Sequence, residues 1–325
     1  MKHATWMTLA MLGLLAGGCG AQKVLLGTES SYVFVASDAL ALPGESVDIA
    51  AQLRAGDFLQ GAAGHPVRFF RGGEFYKVAE TDTAGVATVA FTPPRPGNYP
   101  FRAEVVATGL EDDPPSPATF YVVCRKADEP IVIVDLDKTI VASGFHTVLI
   151  GSPAPMANSQ DVLKRLGRKH TIVYLTHRPD LFGIKSRQFL DDEGYPFGPL
   201  LLSSVSGFMK GSGAFKSGEL AELRKRFKNV RIGIGDKLSD AQAYHENGLR
   251  AFLIIEMPHA DEPEPYEELA NDLDALDKQI EVVARWRQIE KALFDGESYP
   301  RADMQTQLYT LADDARRKLR DVEDD

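Results

Sequence analysis

The sequence predicts two domains in series: an all-β sandwich, then an α/β domain built on a doubly wound parallel sheet. Three observations predict it. Between Lys23 and Lys126, apolar and polar residues alternate in short runs broken by turn signals, the period of half-buried strands. From Ile131 onward, short continuous apolar runs alternate with helical stretches, the pattern of parallel strands covered on both faces. Asp128-Glu129-Pro130 separates the two textures.

In the first part, Val47, Ile49, Ala51 and Leu53 alternate with other residues, as do Val67 and Phe69, and later Tyr99, Phe101, Ala103 and Val105. Pro43-Gly44, Gly61 to Pro66, Gly72-Gly73 and Pro93 to Gly97 supply the turns. Cys124 lies in an apolar run, which predicts a buried thiol. In the second part the predicted order is a strand at Ile131–Val134, a helix around Gln160 to Leu166, a strand from His170 to Leu175, and a helix to about Glu193. Next come an apolar run at Leu200 to Leu202, a helix from Ser217 to Phe227, a strand from Val230 to Ile234, a short helix near Asp240 to Glu246, and a strand from Ala251 to Ile255. Beyond Pro258 to Pro265, the residues Leu269, Leu273, Leu276, Ile280, Val283 and Trp286 recur at spacings of three and four, which predicts one amphipathic helix. A second helix is predicted over Ala302 to Leu319. The domain boundaries are therefore 19–126, 127–257 and a C-terminal helical segment 258–325.

Residues 1–18 read as a signal peptide: a basic start at Lys2, then an apolar run from Trp6 to Ala16 that is short for a membrane span. Leu15-Ala16-Gly17-Gly18-Cys19 resembles a bacterial lipobox, with Ala16 where leucine is usual. The expectation is an exported lipoprotein, held to a membrane through lipidated Cys19 and facing the periplasm or cell surface; ordinary cleavage near Gly18 is the alternative. The formal net charge of -10 over 325 residues argues against nucleic acid as a partner, because such affinity comes from Lys and Arg neutralising phosphates.

Four features carry chemistry. Asp135-Leu136-Asp137-Lys138-Thr139 follows the first apolar strand, where ligands of open α/β sheets bind. Two carboxylates so close call for a compensating cation. Thr176 follows the strand at His170–Leu175, Lys216 opens a helix, and Gly235-Asp236-Lys237-Leu238-Ser239-Asp240 follows the strand at Val230–Ile234.

This order resembles the haloacid dehalogenase superfamily over roughly Ile131 to Ile255, and the intervals before Thr176 and before Lys216 leave no room for a large cap. The resemblance implies that Asp135 is the nucleophile, that Asp137 protonates the leaving oxygen, and that Thr176 and Lys216 bind the phosphoryl group. Lys210 is the alternative to Lys216. It further implies Mg2+ held by Asp135, the main chain of Asp137, Asp236 and Asp240. Thr139 is compatible with a substrate contact or a cap, and Arg178 with a phosphate clamp or a residue closing the turn before Pro179. Thr176-His177-Arg178-Pro179, Gly198 to Ser203, Phe215-Lys216 and Ala243-Tyr244 resemble the lipin-type and actin-patch-type phosphatidate phosphatases, with Lys138 a departure from that pattern. The front region, through Gly64 to Phe69, Thr81 to Ala87 and Pro96 to Tyr99, resembles bacterial immunoglobulin-like modules. The resulting expectation is a magnesium-dependent phosphatase of a phospholipid such as phosphatidate. A phosphatidate-binding module without turnover and a phosphatase of soluble esters are the alternatives. Phe208-Met209 and the cluster Arg224, Lys225, Arg226 and Lys228 are candidate membrane contacts, weighed against loop packing and a helix C-terminus.

Overall fold

The structure is a computed structural model that describes residues 23, 25–56, 59–106, 109–110, 112–143, 153–204, 208 and 211–323, the last with side chains to 320. The signal segment, Cys19, Met209 and Lys210 lie outside the described residues. In chain order the strands of the first part are β1 (Val33–Ala36), β2 (Ala39–Ala41), β3 (Val47–Ala55), β4 (Gln60–Gly61), β5 (Pro66–Arg71), β6 (Glu74–Glu80), β7 (Val86–Phe91), β8 (Gly97–Val105) and β9 (Ala118–Cys124). There follow β10 (Ile131–Val134), α1 (Ser159–Gly167), β11 (Thr171–Pro179), α2 (Gly183–Asp192), β12 (Leu200–Ser203), α3 (Ser212–Arg226), β13 (Val230–Gly235), α4 (Leu238–Glu246) and β14 (Arg250–Ile254). The chain finishes with α5 (Glu264–Asp272), β15 (Glu281–Val283), α6 (Trp286–Phe294) and α7 (Arg301–Glu323).

Two compact units divide the described residues. One takes in the chain up to 127 together with Pro153 and 178–208; the other takes in 128–143, 154–177 and 211–323.

The first unit is all-β at its heart. β1, β3 and β4 form one sheet with β7 on β3, and β2-β9-β8-β5-β6 form the other. Alternation dictates this: Ile49, Ala51 and Leu53 turn inward from β3, and Val67 and Phe69 from β5. They meet Phe91, Phe101 and Phe120 in one core, where the Phe91 and Phe101 rings sit 5.0 Å apart edge-on and Phe101 stacks on Phe120 at 5.5 Å. Gly85 has φ 77, and a Cβ there would lie 2.1 Å from the Leu53 carbonyl, so only glycine lets the β7 turn approach β3. Cys124 is buried and free, as its apolar run predicts.

Residues 178–208 join this unit through polar anchors. Asp38 accepts the backbone N–H groups of Tyr121 and Leu200, each at 2.8 Å, and pairs with Arg187. Arg54 Nη2 lies 3.4 Å from Asp180 Oδ1. Leu181 and Phe182 pack with Leu26, Val33 and Val35.

The second unit is α/β. Its strands run β11-β10-β13-β14-β15 and pair in parallel throughout. Ile131 to Val134 is fully buried, as expected of a strand covered on both faces. α4 packs against β13 through Gly233, where a Cβ would lie 2.3 Å from the Tyr244 ring.

One expectation fails. The single amphipathic helix over Leu269 to Trp286 is instead the end of α5, a 3-10 turn at Leu273–Ala275, the strand β15 and the start of α6. The apolar spacing of three to four is real, but Ile280, Val282 and Val283 form a β-branched buried run that extends the sheet beside β14. Edge pairing overrides the helical period. Buried Glu281 is compensated there by Arg250 at 2.6 Å.

Candidate functional site

Strand register builds the site. Val134 of β10 lies level with Tyr174 of β11 and with Ile234 of β13, so the residues after it emerge together at the carboxyl edge of the sheet. The Asp135 N–H donates to the Ile234 carbonyl at 2.9 Å and prolongs the ladder by one residue. The chain then turns sharply. The N–H groups of Ile140 and Val141 both donate to the Leu136 carbonyl at 2.9 Å, and Lys138 takes a left-handed φ of 52. That conformation is uncommon outside glycine, asparagine and aspartate. Trp286, fully buried, donates its indole N–H to the Thr139 carbonyl at 2.6 Å and so braces the turn from the C-terminal segment.

Asp135, Asp236 and Asp240 converge, with one carboxylate oxygen from each inside a 4.8 Å span. Lys216 sits among them with no solvent exposure: its Nζ is 3.0 Å from Asp135 Oδ1 and 2.5 Å from Asp240 Oδ2. Ser212 donates to the other Asp240 oxygen at 3.0 Å. Burial opposes the charge of Lys216, but Asp135, Tyr244 and Asp240 outweigh it and hold the ammonium well above its ordinary pKa. Burial likewise opposes ionisation of Asp135, and Lys216 and Lys237 overcome it, so this carboxyl falls below its usual value. Asp236 goes the other way. Burial first, then the charges of Asp135 and Asp240, push it up to about 8. Burial also raises the pKa of the Tyr244 hydroxyl.

An all-oxygen donor set suits a hard divalent cation. With Asp236 ionised, three carboxylates against the one ammonium leave two negative charges in a confined space, which is the charge such a cation would cancel. Asp236 Oδ1 is buried and accepts no hydrogen bond, an acceptor of the kind a cation would take up. The residues therefore fit Mg2+ at Asp135, Asp236 and Asp240.

Of the residues singled out in the sequence, Asp135, Lys216, Asp236 and Asp240 come together. Lys216 lies inside α3, which begins at Ser212, five residues before the expected Ser217. Thr176 is buried within β11, which continues to Pro179 and does not stop at Leu175. Asp137 is half-buried in the turn, and the Thr139 hydroxyl is buried with no hydrogen-bond partner. Arg178 belongs to the first unit, where its Nη1 donates to Ser186 at 2.9 Å. Ser212, Tyr244 and Trp286 contribute to the site without a role read from the sequence. Ser212 has a weak signal in its Gly/Ser-rich loop and Tyr244 one in the motif it closes; Trp286 has none.

Residues 132–255 match the family described as PITM 1-3, LNS2 domain. No curated protein matches the chain. Among solved structures, the chain is similar to the CARDB domain of PF1109 from Pyrococcus furiosus, at 19% identity and TM-score 0.23, over 29% of this chain and 93% of that one. It is similar to the fibronectin(III)-like modules of Clostridium thermocellum CbhA, at 15% identity and TM-score 0.21, over 29% and 96%. A chain of the Pnkp1/Rnl/Hen1 RNA repair complex is similar at 19% identity and TM-score 0.35, over 46% of this chain and 51% of that one.

Proposed function

We propose that the chain is a magnesium-dependent phosphomonoester hydrolase acting on a lipid phosphate such as phosphatidate, with Asp135 as nucleophile. The supporting observation is the buried contact between Asp135 and Lys216. A carboxylate held ionised by a fixed ammonium, at the carboxyl edge of a parallel sheet, is prepared to attack an electrophile.

The reaction balances over two steps. An Asp135 oxygen bonds to phosphorus as the ester P–O bond breaks, and Asp137 gives the departing alkoxide its proton. Asp137 then takes a proton from water, whose oxygen bonds to phosphorus as the bond to Asp135 breaks, releasing inorganic phosphate. Lys216 stabilises charge on Asp135 and on the phosphoryl oxygens without moving, because Asp240, itself fixed by Ser212, holds it in place. Thr176 and Thr139 carry hydroxyls suited to phosphoryl oxygens. Mg2+, held by Asp135, Asp236 and the main chain of Asp137 with Asp240 behind, would neutralise charge developing on the phosphoryl group.

The lipid substrate draws support from the LNS2 match over 132–255 and from the likeness of the motifs to lipin-type phosphatases. Export and a lipid anchor at Cys19 belong to the same reading. Among the described residues no helix is long and apolar enough to cross a membrane. The test is phosphate release from phosphatidate micelles, with magnesium and with excess chelator, beside Asp135→Asn. Release that needs magnesium and vanishes in the variant supports the proposal. Tight phosphatidate binding without release points to a lipid-binding module.

A further inference from the structure

Within the second unit a cavity of about 440 Å3 opens beside Asp236. Met156, Ile255, Met257 and Leu269 form an apolar part of its lining, Ile255 buried and the others half-buried, and Glu256, His259 and Arg285 form a polar part. Single exposed apolar residues are ordinary, but several converging on a concavity that also holds a candidate metal ligand describe a binding pocket. Methionine thioethers adapt to irregular apolar guests. At the rim stands Lys138, exposed, on the strained turn that follows Asp137. Its ammonium meets Glu256 at 3.0 Å, and both side chains are largely in solvent. A pair so exposed is weak and readily exchanged for an incoming anion.

Met257 lies beyond the family match, which stops at 255; so do Leu269 and Arg285 at the same cavity. The chain from Glu256 to Arg285 therefore supplies much of the lining. We infer that this cavity is the leaving-group subsite, that it selects phosphomonoesters whose leaving group is apolar next to the ester oxygen, and that Met257 and Leu269 set that selectivity. The inference rests on the phosphatase reading of the adjoining acidic cluster. Lys138 faces the anionic end of the substrate, and the residues that follow the family match fit the apolar end.

The test uses the full chain with two substrates, a short-chain phosphatidate kept below micelle formation and glycerol phosphate. The two share the phosphoryl group and the glycerol and differ in apolar bulk. In the wild type, kcat/KM for the short-chain phosphatidate exceeds that for glycerol phosphate. Leu269→Glu and the near-isosteric Met257→Gln each reduce the ratio of the two kcat/KM values roughly tenfold or more, the discrimination available to a hydrophobic pocket. Leu269→Met keeps the ratio. An unchanged ratio in both polar variants, with melting temperatures like the wild type, overturns the inference. If the wild type turns over neither ester, the phosphatase reading fails by itself. The subsite is then read by titration calorimetry of short-chain phosphatidate: weaker binding in the two variants supports it, and equal binding or none overturns it.

Discussion

Replacing Asp236 with asparagine should make the cation-free protein more stable in alkaline solution. Burial and two neighbouring carboxylates push Asp236 up to about 8, from 3.8 for the free side chain. Between those two pH values the unfolded chain has lost this proton while the folded chain keeps it. Stability from this group is therefore full below about pH 4, falls as pH rises, and is gone once the folded carboxyl ionises near 8. A difference of about 4 units at ~1.36 kcal/mol each sets a ceiling of about 5 kcal/mol, lower if the carboxyl relaxes towards water. The depressed pKa of Asp135 has the opposite sign, but its stabilisation is lost only in acid, below the window used here. Urea unfolding in chelator at pH 5, 7 and 9 should show the wild type losing a few kcal/mol that Asp236→Asn retains. Magnesium should restore the wild type at pH 9, by ~2.7 kcal/mol at a hundredfold excess over Kd, and leave the variant unmoved. Parallel losses in the two proteins, or equal stabilisation of both by magnesium, would refute the reasoning.

Three further outcomes follow from the same packing. Lys216→Met strands Asp135 and Asp240 in a buried space, and urea unfolding in chelator should show a cost of about 3–5 kcal/mol together with loss of turnover. Gly233→Ala drives a methyl into the Tyr244 ring and should lower stability by about 1–3 kcal/mol, with Tm falling even when the metal site is saturated. Cys19→Ser should move the exported protein from the membrane pellet to the soluble fraction; continued pelleting would place the anchor elsewhere.

The convergence of Asp135, Lys216, Asp236 and Asp240 was legible because its signals are local. Asp135 and Asp236 each follow a short, largely apolar run that reads as a parallel strand, and strand order carries them to one edge of the sheet. The sandwich was legible for a similar reason, since Ile49, Ala51 and Leu53 display their inward face at period two. The C-terminal segment was not, because its apolar spacing satisfies a helix while Ile280, Val282 and Val283 bury better as a strand beside β14. Nor does any sequence pattern pair Trp286 with Thr139, 147 residues apart, or aim Ser212 at Asp240. Such contacts are products of tertiary packing. The partition of Arg178 into the first unit, bonded to Ser186, is equally invisible from its position after Thr176.

The central claim is that Asp135 itself becomes phosphorylated. The direct measurement is to quench the magnesium-loaded protein in acid during turnover of phosphatidate, reduce with borohydride, and map the digest by mass spectrometry. An acyl phosphate on Asp135 is reduced to homoserine at that position. The account predicts homoserine at 135 in samples quenched with substrate present, and none without substrate. Phosphate release with Asp135 unmodified, or modification at another carboxylate, would contradict it.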